Sequence, residues 1–264
     1  MLYKKCVLFI CICFLNLVAF SQEKGKNEFG IHVGGLFYQG DLAPKFVGSF
    51  KTAKAVGGIF YNRILSPYWS VRANLDFGGL KGDDAKNDKP DYMQKRNFNF
   101  STPLTELSLL GVYNFFGNNL DGSMTQRLSP YVFAGGGVAF VDIKRDWSKI
   151  DSSMLHGGGN TLAGLMKDSA AEMPTSIAVI PMGAGVKYAL SPRVALALEG
   201  TYRVTFTDYL DGFSYAANPE KKDSYYSLTI GAIFNFGGSS GSGYGNGGKF
   251  RKGGKSKTGC PTVF

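Results

Sequence analysis

Period-two alternation of apolar and polar side chains, sustained over long runs, constrains this chain more than any other feature. In Arg193 to Phe206, Val194, Leu196, Leu198, Tyr202, Val204 and Phe206 share one face against Arg193, Ala195, Ala197, Glu199, Thr201, Arg203 and Thr205. Tyr68 to Leu80 sets Trp69, Val71, Ala73, Leu75 and Phe77 against Ser70, Arg72, Asn74 and Asp76. Thr105 to Phe116 and Tyr226 to Phe236 repeat the pattern, and weaker versions run over about Glu28 to Tyr38, Ala53 to Ile64, Pro130 to Ile143 and Ser176 to Leu190. Each run has roughly 11 to 15 residues, whereas strands of soluble domains average about 5 to 6. A tilted strand that crosses a bilayer needs about 9 to 11. Eight such runs predict an all-β fold.

The connections carry a second, independent regularity. Segments 39–52, 81–101, 144–175 and 207–223 are long, 65–67 and 191–192 are tight Ser-Pro turns, and 117–129 is intermediate with Asn118, Asn119, Asp121 and Gly122 as turn residues. Long connections therefore fall at every odd position, as in transmembrane barrels with short periplasmic turns and longer external loops. The expectation is an eight-stranded antiparallel transmembrane β-barrel of the OmpA-like kind in an outer membrane, contacting its lipid, with N- and C-termini periplasmic. A lipocalin-like barrel would alternate too, but its apolar face would point inward. The apolar rows here end in Trp69, Tyr113, Phe115, Tyr226, Phe234 and Phe236, which suits interfacial girdles. The opposite rows are rich in Gly, Ala, Ser and Thr, which suits a narrow interior.

The chain ends read differently from the body. Residues 1–21 form an export signal: Lys4 and Lys5, then an apolar run from Cys6 to Phe20, then Ser21. Residues 22–236 are the barrel, and 237–264 a Gly/Ser-rich basic tail expected to be flexible, disordered and periplasmic. Loss of Lys4 and Lys5 lowers the net charge from +9 to +7, and Lys249, Arg251, Lys252, Lys255 and Lys257 of the tail hold five of those charges. A nucleic-acid domain would spread its cations over a folded face, so no nucleic-acid partner is expected. Cys260 is the single cysteine left after the signal. In an oxidising compartment it points to an intermolecular disulfide or a reactive thiol.

The polar rows place Arg63, Arg72, Lys187 and Arg203 inside with Asp76, Glu106 and Glu199, a set expected to pair across the lumen because isolated buried charge is costly. An eight-strand interior is just filled by side chains, which excludes a water-filled pore. Catalysis has little to work with. His32 is expected inside the first strand, and His156 lies in the longest loop near Asp151, Ser152 and Ser153, a grouping that reads as solvated loop rather than as a triad. One cysteine and two distant histidines cannot build a metal site, and no cofactor is expected. Asp83, Asp84 and Asp88, interleaved with Lys81, Lys86 and Lys89, read as a solvated loop with scope for at most a weak calcium contact. Gly135, Gly136 and Gly137 sit inside a strand, so they are wall residues rather than a phosphate loop.

Several strings in fixed order resemble the PorG-like family of outer-membrane proteins of Bacteroidetes. These are YQGDL (Tyr38 to Leu42), RNFNFSTPLTELSL (Arg96 to Leu109), SPYVFAGGGVAF (Ser129 to Phe140), PMGAGVKYALS (Pro181 to Ser191), RVTFTDYLDG (Arg203 to Gly212) and the terminal Cys260-Pro261. The resemblance implies a non-enzymatic part of the type IX secretion system that anchors or contacts the periplasmic PorK/PorN ring. Cys260 and Pro261 are then the partner contact, by disulfide or packing, and Asp208, Tyr209, Leu210 and Asp211 shape an external loop. The long Gly/Ser stretch between Phe236 and Cys260 departs from shorter relatives. The alternative reading is a barrel whose long loops, 144–175 above all, bind an external ligand or surface.

Overall fold

In the computed structural model, residues 27–40, 42–43, 50–86, 97–118, 126–149, 159–216 and 222–236 are described. The alternating runs fold as β1 (Asn27–Gln39), β2 (Lys54–Ile64), β3 (Trp69–Asp83), β4 (Asn99–Asn114), β5 (Leu128–Val141), β7 (Ser176–Ala189), β8 (Val194–Thr205) and β9 (Ser224–Phe236). A two-residue strand, β6 (Lys144–Arg145), adds to the far end of β4. Every pairing is antiparallel, and β1 bonds both β2 and β9, so the eight long strands close into a barrel. Closure leaves no open edge along the wall.

Pleating sends successive side chains to opposite faces, and the outward set is apolar. Ile31, Val33, Leu109, Leu198 and Ile230 are exposed along the middle of the wall. Tyr61, Tyr68, Trp69, Phe115, Tyr188 and Phe236 ring the short-turn end, and Phe77, Phe140, Tyr202 and Phe206 ring the long-loop end. From Trp69 to Phe77 the strand climbs roughly 20 Å, taking about 3.3 Å per residue and a tilt near 40°, close to the ~25 Å of an outer-membrane apolar band. Among the described residues no charged side chain faces outward between the two girdles. Such a surface fits hydrocarbon and not water.

Pro181 lies in mid-strand, and the ladder between β5 and β7 passes from Ala134↔Met182 to Gly137↔Val179, leaving Pro181 unpaired on that side. Proline has no N–H to give there. Its pairing continues on the β8 side, opposite Arg203.

The β3–β4 hairpin rises further than the alternation predicts, with Lys81↔Ser101 and Asp83↔Asn99 still paired. The polar stretch Ser101-Thr102-Pro103 hides this extension in the sequence, while Phe98 and Phe100 hold it by turning fully inward. The longest connection also contains a helix, α1 (Gly159–Ala170). An isolated helix of this length is marginal in water, so packing must sustain it.

Candidate functional site

The interior has two storeys. Nearest the short turns three successive polar clusters lie among inward apolar side chains such as Phe60, Leu110, Phe133 and Ile233. Lys187 of β7 donates to both Glu28 oxygens of β1 at 2.8 and 3.0 Å, and Asn62 Nδ2 donates to Glu28 Oε2 at 2.8 Å. Next, Arg72 Nη1 donates to Glu199 Oε1 at 2.5 Å, and the Tyr131 hydroxyl donates to the same oxygen. The Arg72 guanidinium lies 4.3 Å over the Phe60 ring, so a fully buried cation is met by a carboxylate and an aromatic face. Third, Arg203 Nε donates to Glu106 Oε2 at 2.6 Å, its Nη2 to Asp76 Oδ2 at 3.2 Å and its Nη1 to Ser227 at 2.8 Å. Tyr225 donates to Glu106 at 2.9 Å, and His32 Nε2 lies 2.7 Å from Asp76 Oδ1. Gly58 makes room here, since a Cβ would stand 2.2 Å from Asp76 Oδ1 and 2.8 Å from His32 Nε2.

The interior charges differ from expectation at two places. Arg63 is not inside: β2 turns Phe60, Asn62 and Ile64 inward, which puts Arg63 on the outer face at the short-turn end, donating to Asn27 Oδ1 at 3.0 Å. β2 carries apolar residues on both faces, Val56, Phe60 and Ile64 inward and Ile59 and Tyr61 outward, and Gly57-Gly58 carries no polarity signal, so the sequence misreads the parity of that strand. Glu28 is inside, four residues before His32 and on the same face of β1, a signal that was available. The lumen thus holds the cations Arg72, Lys187 and Arg203 against Glu28, Asp76, Glu106 and Glu199, with His32 beside Asp76.

Above the charges the inward side chains turn apolar. Leu36, Val56, Leu80, Phe100, Leu104, Val141, Ile177 and Val179 fill the barrel mouth and merge with Leu42, Phe98, Leu165, Leu210, Phe213 and Ala216 from the connections in one core. Phe98 stacks on Phe213 at 4.5 Å, and Trp147 meets Phe213 edge-on at 5.7 Å. The described parts of the long connections therefore form a cap.

Buried carboxylates pin that cap by accepting backbone N–H groups. Asp168 of α1 accepts from Tyr215 and Ala216 at 3.1 and 2.9 Å, and Gly164 lets the helix sit on that segment, where a Cβ would meet the Tyr215 carbonyl at 2.3 Å. Arg145 donates to the Asp168 carbonyl at 2.6 Å and the Gly212 carbonyl at 3.2 Å, placing a cation on the last turn of α1. Partial burial pulls its guanidinium down from the ordinary arginine range, against the attraction of Asp168. Burial and the Asp168 carboxylate push the Tyr209 phenol up. The Tyr38 hydroxyl lies 2.7 Å from Asp211 Oδ2 and 2.5 Å from Asp223 Oδ1, while Asp211 and Asp223 also accept from the Phe213 and Leu210 amides at 2.8 and 3.0 Å.

Of the expected loop motif, Leu210 and Asp211 are buried in the cap, and Asp208 and Tyr209 are half-buried at its edge. Asp83 and Asp84 are not solvated. Both are buried, accepting from the Ala85 and Phe98 amides at 3.2 Å each, because the raised hairpin folds over them. Among the described residues no group of His, Cys, Asp and Glu could hold a metal ion. Residues 1–21, Asp88, Lys89, Asp151 to Ser153, His156 and the tail with Cys260 and Pro261 lie outside the described residues.

A closed eight-stranded antiparallel barrel with an apolar outer belt and an ion-paired lumen is the architecture of the outer-membrane barrels. The chain belongs to the family DUF6089, a domain of unknown function, whose model matches residues 5–237. Among solved structures it is similar to Ail, the attachment invasion locus protein of Yersinia pestis, in complex with the heparin analogue sucrose octasulfate (11% identity, 80% of this chain and 99% of that one, TM-score 0.43). It is similar also to Neisserial surface protein A (12%, 79% and 96%, 0.42) and to OprG of Pseudomonas aeruginosa (12%, 80% and 96%, 0.37). No curated protein matches the chain.

Proposed function

We propose that this protein is a non-enzymatic outer-membrane component of a type IX protein secretion system, with both termini periplasmic and its basic tail contacting a PorK/PorN-like ring. The observation that carries the reading is the filled interior: an ion-paired lower storey and an apolar upper one leave the barrel nothing to conduct, so its work falls to its ends. The first and last barrel residues are paired, Asn27↔Phe236, at the short-turn end, so the segment holding Cys260 leaves from that side. The PorG-like strings agree with this reading. Tyr38, Leu42, Phe98, Leu210 and Asp211, which belong to three of them, meet in the cap.

The test is cross-linking in cells followed by non-reducing gels. Wild-type protein should carry a ring protein as a Cys260 adduct, and Cys260→Ser should lose the adduct and impair secretion. Normal secretion in that variant, with no ring protein recovered, removes the proposal.

A second reading rests on the cap, where an ordered helix on a pinned base makes a built surface rather than a mere connection. On this reading the cap binds an external ligand. Deleting α1 would then abolish surface binding while secretion continued.

A further inference from the structure

One stretch of the outer wall departs from the uniform apolar belt. Where β3, β4 and β6 run side by side, Lys81 pairs with Ser101 and Ser101 pairs with Lys144, so three outward side chains share one cross-strand row. With strands about 4.8 Å apart, the two lysine Cα atoms stand roughly 10 Å apart with a hydroxyl between them. Toward the belt the next outward row is Gly79, Pro103 and the exposed Asp142, whose amide donates to the Pro103 carbonyl at 3.1 Å, and the row after it is Phe77, Thr105 and Phe140. Phe77 and Phe140 are exposed, whereas Gly79, Pro103 and Thr105 are short. The surface is thus a shallow trough with aromatic walls, closed at its upper end by two cations and a hydroxyl.

The acids nearby leave the cations available. Asp142 pairs with Lys144 at 3.1 Å, but both groups are about two-thirds exposed, and such a pair is weak. The buried Asp83 carboxylate is turned to the Ala85 amide. Among the described residues Lys81 has no ion-pair partner.

We propose that this trough is a docking site for a phosphorylated glycolipid of the outer leaflet. Lys81 and Lys144 flank a headgroup phosphate, the Ser101 hydroxyl donates to it, and an acyl chain lies over Gly79, Pro103 and Thr105 between Phe77 and Phe140. Charge complementarity and the position at the upper margin of the apolar belt carry the assignment. It rests on the reading that the long-loop end faces outside, since only there is the neighbouring lipid a glycolipid.

The experiment is native mass spectrometry of the full-length barrel released from detergent with bisphosphorylated lipid A, its dephosphorylated form or phosphatidylglycerol. Bisphosphorylated lipid A should be retained in preference to both others. Lys81→Gln/Lys144→Gln should weaken that retention about tenfold. Lys54→Gln/Lys86→Gln, which removes equal charge from the same end but outside the row, should leave it unchanged. Equal retention of the dephosphorylated lipid or of phosphatidylglycerol overturns the proposal, as does equal loss in the two double variants. Whole-cell labelling of Lys167→Cys on α1 with an impermeant maleimide tests the orientation separately. Labelling supports the glycolipid as occupant, and absence of labelling overturns it even where phosphate binding persists in detergent.

Discussion

Around Arg203, near the middle of the lumen, two carboxylates, a serine and a tyrosine converge on one buried cation through a network that crosses the barrel. Around Phe213, in the cap, a stacked phenylalanine, an edge-on tryptophan and aliphatic neighbours converge on one buried ring. The two regions adjoin, yet they close the same barrel by opposite means. Inside a wall whose outer face is given to lipid, the lumen mixes apolar side chains with charge, and that charge is paired. Above the lipid the outer face meets water again, so the cap stabilises itself as a soluble domain does, by burying apolar side chains. The barrel is held by pairs that are costly to break singly, and the cap by area that is lost in increments.

That contrast can be broken experimentally. The largest effect is expected from Arg203→Met, which strands Glu106 and Asp76 without their cation and should cost about 3–5 kcal/mol in urea unfolding of the micelle-bound barrel. A loss below about 1 kcal/mol would show that the network does not hold the wall. Phe213→Ala should cost about 3 kcal/mol, but in the cap. Limited proteolysis should then cut the cap while the wall keeps its folded gel mobility. Coincident loss of both would show that cap and barrel unfold as one unit.

Asp168→Asn keeps the shape of the side chain but weakens its two charge-assisted bonds to Tyr215 and Ala216, and roughly 1–2 kcal/mol is expected. Hydrogen exchange should quicken at those two amides while the β4–β5 amides stay protected. The smallest change is expected for Arg63→Ala. Its side chain sits on the outer rim with Asn27, so the unfolding midpoint should move by less than about 0.5 kcal/mol. A loss as large as that for Arg203 would return Arg63 to the network.

Much of the wall was legible because bilayer-facing strands obey a local rule. Most residues of β8 show their side by their own polarity, and Arg72, Asp76, Glu106, Lys187, Glu199 and Arg203 fall where alternation puts them. The rule failed where its premise did. In β2, Phe60 and Ile64 are apolar and inward because they pack inside the lumen, so Arg63 was assigned the wrong face. The upper parts of β3 and β4 leave the bilayer, and there Phe100 and Leu80 point inward for reasons that no local pattern records. Helix α1 was hidden because the buried residues Gly164 and Asp168 meet a segment some fifty residues away, Tyr215 and Ala216.

The sequence by itself determined the closed wall: eight runs long enough to cross, an apolar outer face and charges confined to the lumen. These follow from side-chain periodicity, which is a property of neighbours in the chain. Only the tertiary structure decided which charges meet, that Glu28 joins them and Arg63 does not, and that the described parts of the long connections pack as an apolar cap pinned by Asp168, Asp211 and Asp223. The Lys81, Ser101 and Lys144 row is of the same kind. Contacts between residues far apart in sequence depend on register and loop packing, and both are fixed only when the barrel closes.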